Sequence, residues 1–336
     1  MSTQSTSDTS EIAWLATHKA GFGRVADADD FLHSDVQLED FTLTETYWFN
    51  FYVPERGLSG ALYCWMHKNL GTCTSGVWVY QGLKSHHLQC EHFNVQQHLP
   101  YPTREGRMVT VPHIGIEIEV LEPLKRHALR YRDAATGTAL ELWTSALMPP
   151  AVRGNGFHFE QAMRISGTLT LAGEKIPVDS MTVRDRSWGQ ARSEDPAKHP
   201  PLDWSVGVLD NGATAFNILA CDDPTRHPGW RERYHMTPEK ALRDGWIYHN
   251  ATLEHITRLS QFIERDSAHM HVPTGYHCEF ETASGTRHVL DGRVVSRCPW
   301  GVWPNLHSSF NFVEWTLDGR SGWGDLQDSY WIEFLR

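Results

Sequence analysis

The ten residues Val183–Arg192 (Val-Arg-Asp-Arg-Ser-Trp-Gly-Gln-Ala-Arg) hold a carboxylate between two guanidinium groups, a third arginine and a tryptophan. A plain connection at a strand end needs none of these. At a surface corner Asp185 would simply pair with Arg184 or Arg186, since structural ion pairs perturb carboxylates as readily as catalysis requires. A second group upstream argues for more. His158 and Glu160 open a strand-like run whose partner, across a turn at Ala172-Gly173-Glu174, ends at Asp185–Gly189. That turn places Glu160 opposite Ser187 and Ala162 opposite Asp185, so His158, Glu160 and Asp185 share one face within diagonal reach. A one-residue change in the turn would send Asp185 to the other face. Together these groups supply what acid–base chemistry needs: a donor, an acceptor to orient it, and an apolar wall that raises a carboxylic acid's pKa. Asp185, His158, Glu160 and Arg186 are therefore the candidate catalytic residues, with a salt-bridged barrel rim as the plain alternative. Trp188, Gln161, Trp204, Tyr47 and Phe49 are assigned to the substrate wall, Trp188 offering its π face to a developing cation.

Other chemistries have weaker signals. Ser85-His86-His87-Leu88-Gln89-Cys90-Glu91-His92 with His98, and His269-Met270-His271 with His277, read as metal-ligand sets of the His-x-His kind. Twenty histidines make such clusters expected by chance, so no metal is assigned. There is no Gly-x-Ser-x-Gly elbow, Walker loop or Gly-x-Gly-x-x-Gly after a strand. The Gly319–Gly324 run lies in a late hairpin with no helix behind it to hold a phosphate. No organic cofactor is expected.

The elements that must carry these residues are strands. Leu43–Val53 is aromatic and ends at Pro54. Ile114–Val120 alternates apolar with Gly or Glu, as a half-buried strand does. Asp210-Asn211-Gly212 between Trp204–Leu209 and Ala213–Ala220 is the strongest of several hairpin signals. A short helix is read from Thr237 to Gly245, one or two more within Glu11–His33, and Leu253–Ile263 fits either helix or strand. Hairpins without a βαβ rhythm mean an antiparallel, all-β architecture. The expected fold is two tandem lipocalin-like β-barrel or sandwich domains with few short helices. Met148-Pro149-Pro150 punctuates the chain, which gives a disordered tail at 1–10, a first domain at 11–150 and a second at 151–336.

Composition bounds the function. The 336-residue chain carries a formal charge of −11, with 14 Trp and 14 Phe. The charge argues against nucleic acid, and no basic run would hold an anionic membrane. No apolar run is long enough to span a bilayer. The aromatic excess suits a cavity for a hydrophobic small molecule. Six cysteines without a CxxC pair read as free thiols, and Met1–Ser10 has no apolar signal core, so a cytoplasmic location is expected. A homodimer is compatible with the sequence.

The segment His158–Leu169 followed by Arg184-Asp185-Arg186-Ser187-Trp188-Gly189 resembles the AttH-like, carotenoid 1,2-hydratase-related (hydroxyneurosporene synthase-like) family. Its mark is a His-x-(aromatic or acid) pair followed some 25–30 residues on by Asp-(His/Arg)-x-Trp-Gly; here the His-to-Asp spacing is 27. Glu45–Pro54 resembles the opening strand of uncharacterised relatives, so the likeness covers nearly the whole chain. The resemblance implies two lipocalin-like barrels and cofactor-free chemistry on hydrophobic, often isoprenoid, molecules. Carotenoid hydratases add water across a terminal alkene, and related fungal proteins catalyse pericyclic cyclisation. By position, Asp185 matches the proton-donating Asp and His158 the assisting His, which implies Asp185 as general acid or base, oriented by His158 and Glu160, with Arg186 holding its charge state or a substrate oxygen. Glu160, Val183 and Arg186 depart from the hydratase pattern, which has an aromatic at the first two positions and His at the third. The departures argue against carotenoid hydration itself and leave acid–base chemistry, so the expected function is a cofactor-independent lyase or isomerase of hydratase, dehydratase or cyclase type acting on a hydrophobic terpenoid- or steroid-like molecule in a buried apolar pocket. A binding or carrier protein without turnover, and a metal-dependent β-sandwich enzyme, are the alternatives.

Overall fold

The computed structural model describes residues 21–33, 40–191, 201–223, 236–269, 271–303 and 306–335. The tail read at 1–10, the helical reading of residues 11–20, and Arg192 lie outside these residues. Twelve strands come first: β1 (Leu43–Val53), β2 (Leu58–His67), β3 (Thr72–Gln81), β4 (His92–Pro100), β5 (Thr103–Glu105), β6 (Met108–Val111), β7 (Ile116–Glu122), β8 (Arg126–Asp133), β9 (Thr138–Ala146), β10 (Ala151–Val152), β11 (His158–Leu171) and β12 (Glu174–Ala191). They form one antiparallel sheet in the order β4-β3-β2-β1-β12-β11-β9-β8-β7-β6-β5, with β10 paired to β11. The sheet curls until side chains of β2 and β3 meet those of β6–β9 in one apolar core. A four-residue helix, α1 (Pro238–Ala241), interrupts the second set of strands: β13 (Leu202–Leu209), β14 (Thr214–Cys221), β15 (Leu242–His249), β16 (Thr252–Asp266), β17 (Val272–Thr282), β18 (Arg287–Trp303), β19 (Leu306–Leu317) and β20 (Arg320–Trp331). These eight close into a barrel in chain order.

The architecture is all-β, as the repeated hairpins predict, with two corrections. The sheets part between β12 and β13, not at Met148–Pro150, and the β11–β12 hairpin belongs to the first sheet. Pro149-Pro150 merely punctuates the connection from β9 to β11 within that sheet. The helix expected over Thr237–Gly245 stops at Ala241, and Leu253–Ile263 lies within β16. In the described part of Glu11–His33 the helical segment is a single 3-10 turn, Asp27–Asp30. Among the described residues no helix is long and apolar enough to cross a membrane.

The two units meet through a layer of aromatic rings. Successive residues of a strand point to opposite faces, so β1 sends Tyr47, Phe49, Phe51 and Val53 into the first core. It sends Trp48 and Tyr52 the other way, against the barrel. There Tyr52 stacks on Phe312 at 4.7 Å, Trp48 on Phe310 at 5.7 Å, and Trp78 meets Trp300 at 5.6 Å. Offset and edge-on pairs of this kind add about 0.5–1.5 kcal/mol beyond the area they bury. Covering β1 on both faces is what makes nearly all of it buried.

Candidate active site between the sheet and the barrel

The β11–β12 hairpin turns at Ala172 (φ 48°) and Gly173 (φ 88°), both in the left-handed region that a two-residue hairpin loop requires. That turn pairs Leu171 with Glu174 and, further along the same ladder, Glu160 with Asp185 and His158 with Ser187. The observed register differs from the expected one by an even number of residues, so the face is unchanged. His158, Glu160 and Asp185 lie together on the side that looks toward the barrel.

They form a tight group. His158 Nε2 bonds the carboxylate of Asp185 and sits 3.3 Å from Glu160 Oε1. Arg153, carried on the connection between β10 and β11, donates to the same Glu160 oxygen. Gln190 stands 2.6 Å from the other ring nitrogen of His158. Its amide can present either nitrogen or oxygen, so it can meet both protonation states of the ring. Thr46 of β1 donates to Asp185 Oδ1 at 3.1 Å. Glu160 is fully buried and its Oε2 has no hydrogen-bond partner among the described residues. The Asp185 side chain is 15% exposed and reaches the cavity.

The charges settle into a neutral set. Burial opposes ionisation of Glu160, but Arg153 and His158 outweigh it and hold the carboxyl down at about 2. Burial likewise opposes the charge on Asp185, and His158, bonded to it, does most to keep its pKa below the usual carboxylate value. For His158, burial and Arg153 disfavour the imidazolium, yet Asp185 and Glu160 prevail and raise its pKa. These directions favour an imidazolium and a guanidinium facing two carboxylates. This reverses the expectation that an apolar wall raises the pKa of Asp185: the neighbouring cations win over the wall.

A cavity of about 340 Å³ opens over this group. Arg153, His158, Asp185, Gln190, Trp48 and Tyr63 line it from the first sheet. The barrel contributes an apolar set led by Trp204, Leu219 and Phe310, and a polar set of Ser308, Gln327 and Ser329. The size lies at the small end of ordinary ligand pockets.

Of the residues assigned from sequence, Trp204 lines this cavity and Tyr47, Phe49, Gln161, Arg186 and Trp188 do not. Tyr47 and Phe49 are in the first core, because β1 runs in the opposite phase; Trp48 takes the wall position. Gln161, Arg184, Arg186 and Trp188 alternate onto the far face of the hairpin. Gln161 accepts from Arg184 at 2.9 Å, and Arg184 pairs at 2.6 Å with buried Asp30, itself bonded to His127 at 2.9 Å. Arg186 pairs with Glu45, packs 4.0 Å over the Tyr47 ring and bonds the Thr46 carbonyl, so it holds neither Asp185 nor a cavity oxygen. Trp188 stacks on His33 at 4.7 Å. These far-face groups clamp residues 21–33 to the sheet. Arg153, Gln190 and Trp48 escaped sequence reasoning. Arg153 lies just past the Met148-Pro149-Pro150 boundary in a stretch given no role, and only the phase of β1 could have singled out Trp48.

The same trio offers a metal three ligand atoms within 4.8 Å of one another, the one such group among the described residues. The histidine sets noted in the sequence are not brought together in this way: His92 bonds Tyr131, His269 bonds Asp266 and His277 bonds Asp291. A dication at the trio would share Glu160 Oε1 with the Arg153 guanidinium, a repulsion that a partly dry site would strengthen.

A family model described as a domain of unknown function (DUF7064) matches residues 26–332. No curated protein matches the sequence significantly. Solved structures do. CghA, determined with Sch210972, is 12% identical and superposes with a TM-score of 0.58 over 86% of this chain and 88% of its own. A protein assigned as AttH from Nitrosomonas europaea is 14% identical, with a TM-score of 0.53 over 90% of this chain and 96% of its own. Kievitone hydratase from Nectria haematococca is 12% identical, with a TM-score of 0.52 over 88% and 90%. At such identities the likeness establishes the fold: two lipocalin-like units in tandem, as in AttH-like proteins.

Proposed function

The chain belongs to the DUF7064 family and has the fold of the AttH-like proteins, and from that premise we propose that it is a cofactor-independent lyase or isomerase acting on a hydrophobic, oxygen-bearing small molecule. The observation that carries this reading is the charge-balanced group in which His158, Asp185 and Arg153 line an aromatic cavity and Glu160 lies buried behind them. A carrier has no use for a desolvated imidazolium between two carboxylates, which is costly to assemble. That one neighbour in fold is a hydratase agrees with the reading.

In the proposed mechanism Asp185, ionised and facing the cavity, is the general base. It takes a proton from a water or from a carbon acid held against Trp48. The carboxyl so formed returns that proton to a departing hydroxyl, completing a dehydration, or to a second carbon, completing an isomerisation. Hydration is the reverse of the first path. His158, as imidazolium, holds Asp185 ionised between turnovers, and Glu160 with Arg153 fixes the ring and its charge. Gln190 supports the ring at Nδ1. A positioned acid or base of this kind contributes ~10²–10⁴-fold. The substrate proposed is a terpenoid- or steroid-like molecule, or another polycycle, with an alkene, alcohol or ketone.

The test is a screen of such compounds with the purified protein, followed by mass spectrometry for gain or loss of water and by chromatography for isomers of unchanged mass. Compounds that bind without any turnover would make the protein a carrier and end the enzymatic reading. The ligand spacing of the trio favours one second reading, a divalent cation held by His158, Glu160 and Asp185. Stoichiometric metal on elemental analysis, lost in Glu160→Gln, would establish it.

A further inference from the structure

Away from the acid–base group, a loop of the first sheet reaches across to the barrel. Residues 82–84 bond the backbone of Arg297 in β18: Arg297 N donates to Gly82 O at 3.1 Å, and Lys84 N donates to Arg297 O at 3.2 Å. Arg297 Nε adds a bond to Lys84 O at 3.0 Å. Immediately beside this bridge, Cys90 of the first unit and Cys298 of the barrel place their sulfurs 3.3 Å apart. These residues are 208 positions apart in sequence. Both are free thiols. Cys90 is half-buried, and Cys298 is fully buried. A disulfide needs about 2.05 Å, so closing the bond asks the two sulfurs to approach by little more than an ångström.

We propose that Cys90 and Cys298 are a reversible oxidation site, at which a peroxide or a small-molecule disulfide forges a covalent link between the two β-units. With a peroxide, Cys90 attacks first, because it is the sulfur that solvent can reach. Its thiolate takes one oxygen, the O–O bond breaks, and a sulfenic acid and water are formed. The Cys298 sulfur then attacks the sulfenic sulfur, its S–H proton leaving with the hydroxyl as water. Two thiols are oxidised by two electrons and one peroxide is reduced to two waters. The proximity of Cys90 raises the Cys298 thiol well above its usual value, which suits a resolving partner rather than the first nucleophile. The other four cysteines are buried in positions that face no such neighbour across the junction: Cys64 accepts from Ser75 and Cys73 bonds Pro100 in the first core, Cys221 takes a bond from Arg243, and Cys278 packs in the barrel core.

The link would act on the cavity through β18. Cys298 lies two alternations along the strand from Val302, a lining residue. Fixing Cys298 to the first unit ties one cavity wall to the other.

The experiment treats the reduced full-length chain with hydrogen peroxide and, separately, with oxidised glutathione. Expected are loss of two hydrogen masses from the intact protein, a fall from six titratable thiols to four, and one cross-linked peptide containing Cys90 and Cys298. Dithiothreitol should reverse all three, and the oxidised form should melt at a higher temperature. Cys298→Ser should instead leave Cys90 to accumulate a mixed disulfide with glutathione, with no rise in melting point. Retention of all six thiols, linkage of another pair, or a Cys90–Cys90 dimer would overturn the site. A formed link without higher melting would overturn the covalent coupling of the units.

Discussion

Arg153 decides the charge of its neighbours. Without it, Glu160 would be a buried carboxylate whose one cationic contact is His158, and truncating one partner of such a pair typically costs about 3–5 kcal/mol. The direct test of the proposed base is Asp185→Asn, which removes the carboxylate while keeping shape. It should lose ~10²–10⁴-fold in kcat with an unchanged circular-dichroism spectrum; normal turnover would remove Asp185 from the mechanism. The pH profile tests its neighbours. Activity needs Asp185 ionised and His158 charged, so the acid limb lies below the ordinary carboxylate value of 3.8 and the alkaline limb above 6.5. Glu160 helps to raise the pKa of His158, so Glu160→Gln should move the alkaline limb to lower pH in a rate–pH titration. Stability follows the same signs. The contribution of Glu160 is complete above 4.5 and fades as pH falls toward about 2. That of His158 is complete below 6.5 and fades as pH rises through its raised value.

What positions these groups is the β11–β12 hairpin, held by its turn and by β1 and β9 on its flanks. Gly173 takes a backbone conformation that costs other residues roughly 1–2 kcal/mol. Gly173→Val should therefore lower the denaturant midpoint by a corresponding amount. Because both flanking ladders also fix the register, activity at low temperature should persist; its loss would mean that the turn alone sets the face of Asp185. This element was legible in the sequence. The turn residues and the parity of their spacing put His158, Glu160 and Asp185 on one face even with the register two residues out. The strand β1 was not. It is apolar on both faces because both are covered, so alternation carried no phase, and Tyr47 and Phe49 were taken for Trp48. By contrast the Ile/Glu alternation of β7 identified its buried face without difficulty. Pro149-Pro150 misled for a related reason. Prolines mark where a ladder stops, and a ladder stops at a loop within a sheet just as at a domain edge. Arg184 and Arg186 were legible as unusual residues but not as clamps, since their partners Asp30 and Glu45 come from more than 130 residues away.

At the scale of the molecule, the junction of the two units is mostly aromatic, but apart from the acid–base group it buries a further carboxyl, Asp325. Asp325 of β20 accepts from Asn50 of β1, which also donates to Tyr52 at 2.6 Å. Burial pushes the Asp325 carboxyl up to about 7. An acid whose folded pKa is raised makes the native state bind more protons than the unfolded one, so stability should fall as pH rises from 3.8 to about 7. Asp325→Asn should flatten that slope in denaturant titrations across the range; an unchanged slope would place its origin elsewhere. The division of labour across the junction has a further consequence. Every group that handles the proton in the proposed mechanism comes from the first sheet, while the barrel supplies apolar and uncharged polar cavity wall. In that mechanism the reacting groups and much of the wall that would select the substrate are carried on separate pieces of one polypeptide. Substitutions at Leu219, Phe310 or Gln327 can reshape what fits without touching the residues that react, so diversification of substrates can proceed on the barrel alone while the chemistry is left as it stands.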